Sequence, residues 1–228
     1  NNVGDLYSLV NSGKWTLDEY AKIVDTFSKD LNGDSVMDEE DLYGYLSQPK
    51  AVLPAFWIAS GVLSVNRNEA DEPVFTMPSD EKFLNVFERV FAITYDNNSW
   101  FRNSSETNYD DQFINMFQNN KALFMDITFF YIESLRNMDA DFGIIPYPKY
   151  DENQENYLSR IENCELTCVP VTADPEFASI IHEAMASESS DTVVKAYYNV
   201  ALKTKFARDN QSADMLDIMF ANCECEDA

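Results

Sequence analysis

The sequence predicts an α/β fold, helix-rich with short strands. Three observations carry that expectation. Amphipathic helical patterns recur along the chain: Leu17, Tyr20, Val24 and Phe27 fall on one face at helical spacing, as do Phe83, Val86, Phe87, Val90 and Phe91. Between these patterns stand lone apolar runs too short for helices, such as 122–125 and 142–145. Segments rich in Asn, Ser and Pro separate the two kinds of element. Long helices interleaved with single strands imply helices layered on a sheet rather than an all-α bundle.

The elements follow in order. Thr16-Leu17-Asp18-Glu19 is a capping box that opens the first clear helix. An acidic loop spans 30–41, and a short strand is expected at 42–47. Pro49 and Pro54 punctuate the next stretch, leaving 56–63 as a buried helix. Residues 66–78 read as a loop or hairpin. Ser79 is the expected cap of the Phe83–Phe91 helix. An Asn/Ser-rich loop covers 97–108. The helix carrying Phe113, Met116 and Phe117 ends at Asn119-Asn120, before a strand at 122–125. A helix is expected at 129–137, a strand at 142–145 stopped by Pro146 and Pro148, and a polar linker at 150–157. A cysteine-bearing strand is expected at 164–169. Asp174-Pro175 then starts a helix in the order cap, proline, and two more helices are expected at 191–207 and 212–222.

Composition narrows the function. The chain has 228 residues, of which 45% are hydrophobic and 14% aromatic, enough for a sizeable core. Forty acidic against sixteen basic residues give a formal charge of −24. That argues against nucleic acid as a partner, because phosphate binding needs a basic surface, and against docking on anionic lipid. The most apolar stretch, 51–65, is broken by Pro54, Ser60 and Gly61 and falls short of the roughly 18 unbroken apolar residues a membrane span requires. The chain opens at Asn1, directly before a helical pattern, and reads as a piece of a longer chain. No GxGxxG or GxxxxGK[ST] occurs, so nucleotide-phosphate binding has no support. Cys164 and Cys168, four apart in one strand, would stand roughly 13 Å apart, too far to bridge directly. Cys223-Glu224-Cys225 is too tight for an easy disulfide, and a zinc site would want CxxC-type spacing and usually histidine. His182, the single histidine, sits in a helical setting. Structural or free cysteines are the simplest reading.

The acidic loop is the sharpest local signal. Calcium takes six to eight oxygen ligands, and a twelve-residue calcium loop supplies them from positions 1, 3, 5, 7, 9 and 12. Those positions hold Asp30, Asn32, Asp34, the Val36 carbonyl, Asp38 and Asp41. Met37, the eighth residue, would tether the loop to the core. Position six is Ser35, where glycine normally allows the turn, and position twelve is aspartate, with a shorter reach than glutamate. The expected role of calcium is structural.

Several stretches together resemble the family 1 extracellular solute-binding proteins of carbohydrate ABC importers. Trp15-Thr16-Leu17-Asp18-Glu19 is similar to that family's helix start after its first interlobe crossover. Asp30-Leu31-Asn32-Gly33-Asp34, continued by Asp41-Leu42-Tyr43-Gly44, is similar to its calcium-type loop and strand. The 117–125 stretch, FQNNKALFM, resembles its F-x-x-G-K-A-A-M element, with Asn120 in the glycine position. Residues 141–149, DFGIIPYPK, resemble its DFGxxPxPK strand exit. The resemblance implies a periplasmic-binding-protein-like (type II) fold, with two hinged α/β lobes closing on a small ligand, a sugar or oligosaccharide. It assigns 1–160 to the second lobe, and 161–228 to a strand and helices returning toward the first, whose N-terminal half would precede Asn1. It also implies ABC permease subunits as partners, a monomer, and an extracellular, lipid-anchored location.

Sugars are held by aromatic faces and a few convergent polar groups. The resemblance puts Trp57, with Phe56, and Phe129 and Phe130 at ligand-facing positions. Asp126 and Thr128 occupy a strand-to-helix turn, a favoured place for ligand contacts in α/β folds. Tyr147 follows the 142–145 strand near the interlobe crossing. No catalytic nucleophile or base motif stands out, and the expectation is a binding protein without turnover. A glycoside hydrolase needs only two suitably spaced carboxylates and stays as one alternative. A calcium-dependent protein-interaction module, resting on the acidic loop alone, is the other.

Overall fold

A computed structural model describes residues 3–47, 49–96, 100–101, 109–161 and 167–225. Its centre is a three-stranded parallel sheet in which β1 (Tyr43–Leu46) lies between β4 (Trp100–Phe101) and β5 (Ala122–Met125). The register sets Leu46 opposite Phe101 on one side and Met125 on the other. Parallel neighbours need crossover connections. Here they contain α3 (Pro49–Ala59), the antiparallel hairpin of β2 (Val65–Arg67) and β3 (Pro73–Phe75), α4 (Glu81–Phe91) and α5 (Tyr109–Gln118). The expected α/β class is therefore observed.

α1 (Leu6–Asn11) and α2 (Leu17–Phe27) precede the sheet. One half of the capping box forms: Thr16 Oγ1 accepts from the Glu19 N–H, while the Glu19 carboxylate pairs with Lys22. Leu17, Tyr20 and Val24 face inward and join Trp15, Tyr45, Phe56, Val86, Val90, Tyr157 and Met215 in the main core. α2 lies so close to β1 that a Cβ on Gly44 would stand 2.4 Å from the Val24 carbonyl oxygen. Only glycine fits between those two backbones.

Several expected boundaries move. The helix expected at 56–63 begins at Pro49 and ends at Ala59, because proline suits a first helical turn. Pro54 sits inside it and forfeits one backbone bond. α4 is capped by Asp80 rather than Ser79; its carboxylate accepts from the Lys82 and Phe83 N–H groups and also complements the helix dipole. Residues 66–78 do contain a hairpin. Asn120 closes α5 with φ of 58°, the left-handed backbone that favours glycine and that Asn tolerates. Residues 129–137 are helical with tight 3₁₀ turns.

Residues 142–145 form no strand. Pro146 and Pro148 have no N–H to give a sheet, and the Ile144 N–H is taken by Ser212 Oγ at 2.9 Å. Of the strand expected at 164–169, residues 164–166 lie outside the described residues and 167–169 are irregular. The strand in this region is β6 (Ser159–Ile161), parallel to β7 (Cys223–Cys225). Of the Asn/Ser-rich loop, 100–101 form β4 and 97–99 and 102–108 lie outside the described residues.

α6 (Pro175–Ser189) begins at its Asp174 cap and continues to residue 206 through wider helical turns. It buries none of its own residues, and Phe177, Ile180 and Met185 are exposed. α7 (Asn210–Ala221) is shared between two clusters. Met215 and Ile218 pack in the main core, while Leu216 and Met219 pack with Ile132 and Leu202. Residues on both sides of the expected 160/161 division thus share one core. Among the described residues no helix is long and apolar enough to cross a membrane.

Candidate functional site

Two residues leave the sheet side by side. Ser47 follows β1 and Asp126 follows β5, and the Leu46–Met125 register makes them neighbours at the C-terminal ends of parallel strands. The Asp126 N–H donates to the Leu46 carbonyl at 2.8 Å, which fixes the turn. Asp126 Oδ2 accepts from Ser47 Oγ at 2.8 Å and, more weakly, from the Tyr45 hydroxyl at 3.5 Å. Ser47 is fully buried and Asp126 half-buried.

Three phenols surround this carboxylate. Burial pushes the Tyr45, Tyr20 and Tyr147 hydroxyls well above their usual range, and the Asp126 charge adds to each shift. The Tyr147 hydroxyl faces Asp126 and Tyr45. Yet no described residue meets hydrogen-bond geometry with the Tyr147 hydroxyl or with the Tyr20 hydroxyl, and both oxygens are buried. Buried hydroxyls without partners are costly, at about 1–3 kcal/mol each, and such groups collect where a protein awaits a ligand or water.

The rings complete the environment. Phe56 meets Tyr20 at 5.4 Å, Tyr45 at 5.9 Å and Tyr147 at 5.3 Å between centroids. Phe56 is 1% exposed. It was expected to face ligand; instead it backs the site from within the core, because its helical phase points it at the sheet. Trp57, the next residue, turns toward α4 and meets Phe83 edge-on at 5.6 Å, and its buried indole N–H has no hydrogen-bond partner among the described residues. Phe129 stacks on Phe220 at 5.5 Å and belongs to the C-terminal cluster. Phe130 is 80% exposed and meets Tyr131. Thr128 is half-buried at the start of the 3₁₀ segment, where its carbonyl accepts from the Tyr131 N–H. The structure therefore brings Asp126, Tyr147 and Phe56 together from the expected set. Tyr20, Tyr45 and Ser47 join them without having been singled out. Once both strands are expected, parallel pairing alone puts the residues after them together, which would have found Ser47.

The acidic loop has its own order. Asp30 accepts from the Gly33 N–H at 2.6 Å and the Ser35 N–H at 2.9 Å, and Asp34 accepts from the Val36 N–H. Asn32 accepts from the Asp34 N–H, and Asp38 from the Glu40 N–H. Asp41 is fully buried and accepts from Leu31 N–H at 2.8 Å and Asp38 N–H at 2.9 Å; these bonds hold its carboxyl below the usual carboxylate range. Ser35 has φ of 67°, the left-handed turn for which glycine is normally used at that position. Met37 packs against the cluster of Tyr43, Leu46, Phe113 and Met116 and ties the loop down as expected. Among the described residues no three His, Cys, Asp or Glu side chains converge in a metal-holding group. Cys168 is exposed, the exposed Cys223 donates its thiol proton to the Met219 carbonyl at 3.2 Å, and His182 is exposed on α6.

Comparison with protein-family models, with curated proteins and with solved structures matched none of them to this chain.

Proposed function

We propose that this chain is a ligand-binding lobe of an extracellular solute-binding protein, capturing a small polyhydroxylated molecule, a sugar or oligosaccharide, for an ABC importer. The observation that carries the reading is the cluster at the strand ends: one carboxylate, the Ser47 hydroxyl, and two buried phenols that lack partners, all backed by aromatic rings. Sugar hydroxyls donate and accept, so they suit the half-buried Asp126 carboxylate at the strand end, while the Tyr20, Tyr45 and Phe56 rings buried behind it hold it in place. Ligands of open α/β sheets bind beyond the carboxyl ends of the strands, where this cluster stands.

In this reading a second lobe closes over the ligand by a hinge motion, and the permease recognises the closed form. The uncovered apolar residues of α6 are the surface on which the reading seats that lobe. The full-length protein is a monomer, lipid-anchored outside the cell, and it performs no turnover. Calcium belongs to the same proposal. The hard oxygen donors of Asp30, Asn32, Asp34, Asp38 and Asp41 and the Val36 carbonyl suit it, and the left-handed Ser35 supports the required turn. The ion would fasten the end of α2 to β1.

A thermal-shift panel of neutral oligosaccharides against the full-length protein, wild type and Asp126→Ala, tests the proposal. Stabilisation by at least one sugar in the wild type, reduced in the variant, supports it. Carboxylate-dependent hydrolysis of chromogenic glycosides would replace it with a glycosidase. Calcium-dependent capture of a protein partner, indifferent to sugars, would replace it with an interaction module.

A further inference from the structure

Tyr147 is held by an unusual piece of chain. It lies between Pro146 and Pro148, both buried, so its neighbours have fixed φ and no N–H. Residues 144–148 of this strap lie in no strand, and the chain is anchored by hydrogen bonds at both ends, the second end through the Thr16–Lys149 bridge. Ser212 Oγ holds the Ile144 N–H at one end. At the other, the Lys149 N–H donates to the Trp15 carbonyl at 3.0 Å, and the Leu17 N–H donates to the Lys149 carbonyl at 2.8 Å. Between them the Trp15 indole Nε1–H donates to the Pro146 carbonyl at 2.9 Å, a buried bond spanning 131 residues of sequence. Trp15 is itself locked, 1% exposed, edge-on to Tyr20 at 5.8 Å and against Phe124 at 5.7 Å.

We propose that Trp15 is the positioning residue of the site: its indole N–H, through the Pro146 carbonyl, sets where the Tyr147 phenol stands relative to Asp126. The inference rests on the reading of this cluster as a binding site, but the geometry it describes is present without ligand. Trp15 contributes the hydrogen bond on one side of Tyr147 and a backbone anchor on the other. The same indole packs on Tyr20, so one residue governs both orphaned phenols. The Tyr20 hydroxyl moves with its ring, and the Tyr147 hydroxyl moves with the strap.

The test is ¹³C NMR of protein labelled at tyrosine Cζ, at neutral pH, with Tyr147 assigned from Tyr147→Phe. Trp15→Phe removes the N–H and keeps an apolar ring. Met116→Ala, in the cluster of Tyr43 and Phe113, which contains no residue of the strap, supplies a loss of stability for comparison. The Tyr147 resonance should shift in Trp15→Phe and stay in place in Met116→Ala. If Trp15→Phe does not fold, a benzothienylalanine at position 15 keeps the ring shape and lacks only the donor. An unmoved Tyr147 resonance in a folded protein without the donor would overturn the inference. Because no ligand enters the measurement, failure of every sugar to bind would defeat the binding proposal and leave this one standing.

Discussion

Ser47 and Asp126, 79 residues apart in sequence, are joined by a 2.8 Å hydrogen bond where two parallel strands end. That bond and the Leu46–Met125 register beneath it make one site from two loops. Removing the hydroxyl with Ser47→Ala should cost about 1–2 kcal/mol of stability, since a hydrogen bond to a charged group is lost at a buried position. Urea denaturation measures it. The same variant should weaken sugar binding less than Asp126→Ala does, because the carboxylate keeps its place at the strand end.

Two glycines should respond very differently to alanine. A Cβ at Gly44 meets the Val24 backbone at 2.4 Å, and backbone cannot swing aside. Gly44→Ala should cost about 3 kcal/mol or more. A Cβ at Gly143 meets the Tyr7 hydroxyl at 2.3 Å, the far end of a side chain that also bonds Asp209 and Ser212. Gly143→Ala should cost about 1–2 kcal/mol, and less in a Tyr7→Phe background. A double-mutant cycle in urea would show that coupling; strict additivity would contradict the close approach.

The left-handed Ser35 stores strain that glycine would release. The backbone penalty is about 1–2 kcal/mol, offset by up to about 1 kcal/mol of added freedom in the unfolded chain. Ser35→Gly should therefore stabilise by about 0.5 kcal/mol without calcium. With millimolar calcium the gain should be larger, because the loop then closes on the ion with less strain. Thermal melts with calcium and with chelator read both effects. Equal melting temperatures with and without calcium, in wild type and variant alike, would remove calcium from the account.

Stability should fall at both pH extremes for different reasons. The Asp41 carboxyl lies lower in the folded chain than the ordinary value of about 4. Its contribution is therefore complete above that ordinary value and is lost as pH falls through the folded one. Tyr20, Tyr45 and Tyr147 lie higher than the ordinary phenol value of about 10. Their contribution is complete below about pH 10 and declines as pH rises beyond it toward the folded values. Urea midpoints across pH should show a plateau between these limits, with the alkaline decline shallower in Tyr20→Phe.

Much of this arrangement was legible in the sequence, and the failures share a cause. The helical phase of Leu17, Tyr20 and Val24 found the buried face of α2, and the apolar run 122–125 found β5. The Asp126 turn was found because a residue following a strand of an α/β fold is placed by topology. Phe56 was misread because a strand-end argument gives the neighbourhood of an aromatic ring but not its direction. Only the tertiary contacts with Tyr20, Tyr45 and Tyr147 show it facing inward. The apolar run 142–145 looked like a strand, but the hydrogen bonds of a strand depend on its neighbours. Trp15 and Ser212 provide the contacts here, and neither is near in sequence. Tyr20 as a site residue was hidden for the same reason: an inward helix position reads as core whether or not its hydroxyl is satisfied.

The most direct test is a ¹⁵N NMR titration of the chain with neutral oligosaccharides, because it detects millimolar binding and maps it. The account predicts saturable shifts concentrated at the amides of Ser47, Asp126, Thr128 and Tyr147, and their loss in Asp126→Ala. Shifts that map to α6 or to the 30–41 loop, with the strand ends unmoved, would contradict it.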